Sequence, residues 1–243
     1  MKNSMINRVW LRFRAFLSML ANFRRVMGGE VLVSWSQAGE DAMLLPFLGD
    51  RRDDASYKGF YVDVGAHHPV LFSNTKIFSD RGWRGINVDA SADAIDKLKR
   101  ERSRDINVNV GIGVESGELD YYRMSLPAMN TFSREFAEKS AKEGVKILGV
   151  VKVPVVTLRE ILERYLPCGQ HIDFMSIDCE GLDLSILKSN DWTRYRPDFI
   201  LVEIHTGGKN WEIPTCPVTR FMNEQGYEFV GQGVVTTLYK RVR

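Results

Sequence analysis

Cysteine is scarce in this chain of 243 residues: Cys168, Cys179 and Cys216 make an odd number with no CxxC spacing. That excludes a disulfide framework and a structural zinc site, and it fits a reducing compartment. Long apolar runs are also missing. None approaches the ~18–20 residues of a membrane span, and the N-terminus lacks the apolar block and small-residue cleavage site of a secretory signal. The expected location is the cytoplasm. Net charge is nearly absent, +2 in all, but it is unevenly spread. Residues 1–29 carry six cations (Lys2, Arg8, Arg12, Arg14, Arg24, Arg25) and no acid, which leaves 27 basic against 31 acidic residues in the rest. A mildly acidic body argues against nucleic acid as a partner. With 44% hydrophobic and 26% charged residues, the chain has the material for one soluble domain with a sizeable core.

The basic segment has a pattern of its own. Ile6, Val9, Trp10, Phe13, Phe16, Leu17, Leu20, Phe23 and Met27 recur at steps of three and four, one stripe on a helix, and Gly28-Gly29 ends it. Two readings stand: an interfacial helix at the inner face of the cytoplasmic membrane, or an amphipathic helix packed on the domain or on a second copy in a homo-oligomer. The expected organisation is a helix over residues 1–30 and one domain over 31–243, with an insert at about 123–145.

From residue 59 the chain alternates. Apolar runs at 59–64, 86–89, 106–113, 119–122, 151–156, 173–177 and 199–204 read as strands, with Pro154 suggesting an edge position. Between them Ser73, Ser91 and Thr157 stand where helices would be capped. Two last runs, 227–230 and 234–239, are joined by a glycine turn and should pair antiparallel. The fold class predicted is α/β: a doubly wound, mostly parallel sheet with an antiparallel C-terminal strand pair.

Ligands of such sheets bind beyond the carboxyl ends of the strands. Five of those ends carry polar or glycine residues where a core strand would stay apolar: Asp63-Val64-Gly65-Ala66-His67-His68-Pro69, Asp89, Asn109 to Gly113, Asp178-Cys179-Glu180-Gly181 and Glu203-Ile204-His205. The turn after Asp63 has one glycine, not the GxGxxG that lets a backbone approach a pyrophosphate, which disfavours NAD. Asp89 lies at the right distance from Asp63 to accept from both hydroxyls of a ribose. A carboxylate near Asp63 suits a cationic ligand portion. A ribose, no phosphate and a positive charge together describe S-adenosylmethionine.

On these pieces, with Ser36-Gln37-Ala38-Gly39-Glu40-Asp41, Ser73-Asn74-Thr75, Gly82-Trp83-Arg84-Gly85 and Arg196-Pro197, the chain resembles the FkbM family of class I methyltransferases from about Ser36 to Tyr239. The resemblance implies that Asp63, Gly65 and Ala66 form the cofactor turn and that Asp89 holds the ribose. Asn109, Val110 and Gly111 would flank the adenine, and Asp178 would face the methionine end. Gln37, with Glu40 and Asp41, would close over the cofactor. Ser73-Asn74-Thr75 is either a helix cap or, through Asn74, a cofactor contact. Two positions depart from the family pattern: Pro69 replaces a glycine, and Asp89 a glutamate. The implied activity is S-adenosylmethionine-dependent O-methylation of a sugar hydroxyl, in a cell-surface polysaccharide or its nucleotide- or lipid-linked precursor. The rivals are an NAD-dependent nucleotide-sugar oxidoreductase and a catalytically silent scaffold in a glycan-assembly complex.

Methylating a hydroxyl requires alignment and removal of a proton from a weak acid. His205, beside Glu203, is the first choice of base, with Asp178 and Glu180 as its catalytic companions. Asp178, Glu180, Glu203 and His205 would also make an oxygen-rich shell for Mg2+, against the simpler reading that these acids serve cofactor and substrate directly. His67 and His68 read as structural, His171 as exposed, and Cys179 and Trp83 as core. The insert over 123–145 is the expected acceptor lid, with Asn130, Thr131 and Arg134 as its contacts.

Overall fold

The computed structural model describes residues 33–48, 56–204 and 210–242. Nearly all of them belong to the second of the two units into which the chain divides, Trp35–Arg243. The helix expected over residues 1–30 lies outside the described residues, as does His205. Among the described residues no helix is long and apolar enough to cross a membrane.

The elements follow in chain order. After α1 (Glu40–Leu44) come β1 (Phe60–Val64), α2 (Lys76–Asp80), β2 (Arg84–Asp89), α3 (Ala92–Glu101), β3 (Ile106–Asn109) and β4 (Gly111–Ile112). Next are β5 (Gly117–Met124), α4 (Arg134–Lys142), β6 (Ile147–Val156), α5 (Leu158–Tyr165) and β7 (Phe174–Ile177). The chain ends with α6 (Asp183–Lys188), β8 (Phe199–Glu203), α7 (Pro217–Glu224), β9 (Tyr227–Gln232) and β10 (Thr236–Arg241). Seven strands form the main sheet in the order β3-β2-β1-β7-β8-β10-β9. The first five run parallel. β10 is antiparallel to both β8 and β9, so the expected C-terminal pair is present and β9 regains the common direction.

β1, β7 and β8 are buried along their whole length, which is why each reads as an unbroken apolar run. The period of two sends Val62, Val64, Ile86 and Val88 to one face, against Leu158 and Ile161 of α5, Ile186 of α6 and Met222 of α7. Tyr61, Phe174 and Leu201 go to the other, against Leu44, Ile77, Phe78 and Trp83. Thr157 closes a full capping box on α5, and the Ser91 hydroxyl caps α3. Ser73 is not a cap: the residue before α2 is Thr75, and Ser73 is drawn into a buried network described below.

Two expectations change. The run over 106–113 is not one strand. The Val110 amide still donates to the carbonyl of Asp89, but the next two residues leave the main sheet and pair with Val155 and Val156. They begin a second, three-stranded sheet, β4-β6-β5. β6 is therefore its middle strand, although β4 reaches only Val155 and Val156; at Pro154 the recorded strand partner is Glu118 of β5. The polar stretch around 123–145 is the connection from β5 to β6, made of a short 3-10 turn, Pro127–Met129, and α4.

A buried guanidinium organises the crossover from β1 to α2. Arg102, 4% exposed just past α3, donates from Nε and Nη2 to the carbonyl of Pro69 and from Nη2 to the Ser73 hydroxyl. Its Nη1 reaches the Thr75 hydroxyl and the Tyr61 hydroxyl. Tyr61 donates in turn to Asp105, which also accepts from the Gly85 amide and Asn87. One side chain thus fixes the path of residues 69–75 and ties it to β1. Arg102→Met should lower the free energy of unfolding by about 3–5 kcal/mol, since it strands several buried acceptors. Arg102→Lys should recover less than half, because an ammonium cannot span the same acceptors. Urea unfolding of the three proteins measures both.

Candidate functional site

The order of the main sheet reverses between β1 and β7, so their carboxyl ends flank the crevice where such sheets bind ligands. At this point the backbones crowd together. Gly65 has φ +83°, and a Cβ built on it would lie 1.8 Å from the carbonyl oxygen of Asp178. The amides of Gly65 and Ala66 both donate to the carbonyl of Val88, and the Asp178 amide donates to Val64. Only glycine fits this turn. The Ala66 methyl packs on Ile95 and Leu98 and so locks α3 to the turn.

Asp89 ends β2 at the same edge. Its Oδ2 accepts from the His67 amide at 2.9 Å and its Oδ1 from the Ser91 amide at 2.7 Å. Burial raises its pKa, and the two amides pull it back. Asn109 donates from Nδ2 to the carbonyls of Asp89 and Ala90, which holds the end of β3 against that of β2. Two spaces meet at Asp89. A small cavity of about 50 Å³ runs from Gly65 past Asp89, Val110 and Gly111 to Cys179, under Tyr121 and Phe132. A larger cleft of about 650 Å³ opens on its other side, between the start of α3 and the face of β5 and β6 that carries Arg123, Val151 and Val153. Asp89, Ala90, Tyr121 and Asn130 line both.

Beyond β7 the carboxyl groups of Asp178, Glu180 and Glu203 converge, with one oxygen from each within 4.8 Å of the others. Burial raises the pKa of Asp178 well above the usual carboxylate range, and the charges of Glu203, Glu180 and Asp183 raise it further. A hydrogen bond to Glu203 adds to the rise. Three oxygen donors at this spacing could hold a hard cation, and exposed or half-buried acids also gather in this way without one. Glu180 has φ +49°, and its carbonyl accepts from the Thr131 hydroxyl. The turn is held from below by Asp183, whose carboxylate accepts from the amides of Cys179 and Gly181. Burial lifts the Asp183 pKa to about 6.

Several residues expected at the cleft stand elsewhere. Asp63 lines neither cavity: its Oδ2 accepts from Thr75 at 2.8 Å in the Arg102 network, and burial raises its pKa to about 6. It supports the turn from behind. Asn74 donates to the Ser176 hydroxyl. Gln37 is exposed, while Glu40 accepts from the Ala38 amide and Asp41 from the Trp35 and Ala42 amides. These two acids therefore shape their own turn. His68 Nδ1 accepts from the amides of Val70 and Leu71, so its ring is a loop brace. His67, by contrast, lines the larger cleft, with its pKa lowered by burial. Arg134 pairs with Glu138 on the open face of α4, away from both spaces. His171 is exposed and pairs with Asp198, on the opposite edge of the sheet.

The residues missed in the sequence are Arg102, Asp183, Tyr121 and Phe132. A lone arginine after a helix carries no signal of burial. Asp183, opening α6, could have been found as a helix-start acid. Tyr121 and Phe132 belong to the second sheet and its connection, which strand periodicity alone does not place over the first.

The profile of the methyltransferase FkbM domain matches residues 63–229, more than half of the chain. No curated protein matches it. Two solved structures align with it weakly. Methyltransferase FkbM from Methylobacillus flagellatus KT is 14% identical over 75% of this chain and 43% of its own, with a TM-score of 0.46. An O-methyltransferase from Bacillus cereus, in complex with SAH, is 12% identical over 93% and 91%, with a TM-score of 0.44. The chain thus spans less than half the length of the first, and at these scores neither bears on its chemistry.

Asp63 gives a test by proton linkage. Its folded pKa, about 6, lies above the ~3.9 of an unfolded aspartate, so the native state holds the extra proton. The associated stability is complete below pH ~4 and is lost as pH rises through 6. Asp63→Asn keeps an acceptor for Thr75 and has no proton to lose. Relative to the wild type, it should gain about 3 kcal/mol between pH 4 and pH 7. Parallel stability curves from denaturant unfolding would show that the carboxyl is not raised.

Proposed function

The chain belongs to the FkbM methyltransferase family, and from that premise we propose that it transfers a methyl group from S-adenosylmethionine to a sugar hydroxyl. The acceptor is a cell-surface polysaccharide or its nucleotide- or lipid-linked precursor, methylated on the cytoplasmic side. One observation carries the cofactor reading. Asp89, the single-glycine turn at Gly65 and the carboxyl pair of half-buried Asp178 and buried Glu203 meet at the edge where the sheet reverses.

The residues present suit the cofactor by chemistry. Each Asp89 oxygen already accepts one amide and keeps a second lone pair for a ribose hydroxyl. Ala90, Val110, Leu182 and Ile186 offer apolar walls for a flat base. Nothing at the Gly65 turn forms the amide cradle a pyrophosphate needs, since its amide is committed to Val88. The carboxyl cluster suits a ligand that carries positive charge.

When bound, the sulfonium supplies an electrophilic methyl group. The protein supplies orientation and a proton acceptor. Burial and acidic neighbours favour the protonated form of Asp178. A cation held beside it reverses that balance, and the proton leaves. The ionised Asp178 is then placed to take the acceptor's hydroxyl proton. Glu203 holds Asp178 in position, and the Thr131 bond to the Glu180 carbonyl fixes the turn that carries the third carboxyl. Arg123 and Lys97, at the rim of the larger cleft's apolar wall, are available to an acceptor that carries phosphate.

Two measurements test the reading. Asp89→Asn should weaken S-adenosylmethionine binding by about tenfold to a hundredfold in a protein that thermal unfolding shows is still folded. NAD should not bind; if it does and S-adenosylmethionine does not, the oxidoreductase reading takes over. Calorimetry near neutral pH in buffers of different ionisation enthalpy should show proton release on S-adenosylmethionine binding, and affinity rising with pH. In Asp178→Asn the released proton should disappear. Proton uptake in the wild type would show that Asp178 is not the group that responds.

A further inference from the structure

The small cavity is too small for the ligand its walls suit. A ligand with its ribose on Asp89 and its charged end toward Gly65 and Asp178 has to pass through it. At about 50 Å³ it holds a water or two, whereas ligand sites span roughly 300–1,000 Å³. One of the side chains that line it is a half-buried aromatic, Phe132. The Phe132 ring presses on Gly111, where a Cβ would lie 2.5 Å from its Cζ, and packs on Tyr121 with ring centroids 4.8 Å apart. Gly111 and Tyr121 both line the small cavity, and Tyr121 lines the larger cleft as well.

The plug is mounted on a short, defined connection. Next to Phe132, Thr131 pairs through its backbone with Tyr122 of β5 and through its hydroxyl with the carbonyl of Glu180. Ser133 then caps α4. The ring is therefore held at its neighbours but is itself only half-buried, and it can leave by rotating about its own side-chain bonds while Thr131 stays in place.

We infer that Phe132 is a gate residue that competes with the adenosyl part of the cofactor for the volume beside Gly111 and swings out when the cofactor enters. This rests on the cofactor reading given above. The apparent affinity is then the intrinsic affinity reduced by the fraction of molecules with the ring already out. A wall that stacks on the base would behave in the opposite way, since its removal would cost binding. The sign of one substitution separates the two.

The experiment is calorimetric titration of the full chain with S-adenosylhomocysteine and, separately, with adenosine, for wild type, Phe132→Ala, Phe132→Leu and Phe132→Trp. Thermal unfolding of each protein establishes that it is folded. Phe132→Ala should bind both ligands tighter by roughly threefold to tenfold, Phe132→Leu should fall between, and Phe132→Trp should bind more weakly than the wild type. The gain should be alike for adenosine and S-adenosylhomocysteine, because the competition is for the adenosyl volume. Weaker or unchanged binding by folded Phe132→Leu and Phe132→Ala overturns the gate and leaves the cofactor reading standing. Binding of neither ligand by any of the four proteins removes both.

Discussion

The ends of β1 and β7 lie so close that the Asp178 carbonyl occupies the place a side chain on residue 65 would need. This contact brings the turn after β1 to the turn after β7 at the point where the sheet order reverses. The family expectation gave Gly65 to the cofactor turn, and the packing shows a second reason for it: a backbone needs the space. Once the two turns are joined, the Asp178 amide is committed to Val64 and its carboxyl is carried toward Glu203 and Glu180. The Gly65 amide, committed to Val88, brings the Asp89 end of β2 alongside. The cleft is a consequence of that junction.

Around it the protein buries an unusual amount of acid. Asp63, Asp178 and Asp183 all have proton affinities raised by burial, as does Asp89. They divide by task. Asp63 faces the Arg102 guanidinium, a permanent countercharge that braces the crossover behind the turn. Asp183 is satisfied by backbone amides, which it holds in the shape of the turn after β7. Asp89 is partly satisfied in the same way. Asp178 is hydrogen-bonded to Glu203, and burial with its acidic neighbours raises its proton affinity furthest above the ordinary range. A carboxyl with raised proton affinity beside two others, at the edge where the sheet order reverses, is the arrangement on which the proposed cation site and base rest.

The second sheet gives the cleft its other wall. β4 leaves the main sheet directly after Val110, and its pairing with β6 brings the whole β5–β6 hairpin over the ends of β2 and β3. Tyr121, Asn130 and Phe132 reach the cavity by this route. The main sheet and the three-stranded sheet thus meet at Gly111 and are tied again through Thr131 to Glu180.

The sequence alone determined the fold class, the parallel run of the main sheet with its antiparallel C-terminal pair, the caps at Ser91 and Thr157, and the edge of the sheet where the strands close on polar residues. These follow from local rules: an apolar period of two or near four, a hydroxyl before a helix, and a polar residue closing a buried strand. It also marked Asp89, Gly65, Val110, Gly111 and Asp178 as residues of that edge. The direction in which each side chain is spent was decided by tertiary structure. Asp63 and Asn74 look like cleft residues by position, yet the alternation of β1 and the path of residues 69–75 turn them toward Thr75 and Ser176. Arg102 is a surface cation by every local measure until four residues from β1 and the β1–α2 crossover converge on it. Phe132 meets Gly111 only because the chain has passed from the main sheet to the second one after Val110. Local preference is written within a few neighbouring residues, whereas burial, proton affinity and access arise from partners distant in the chain.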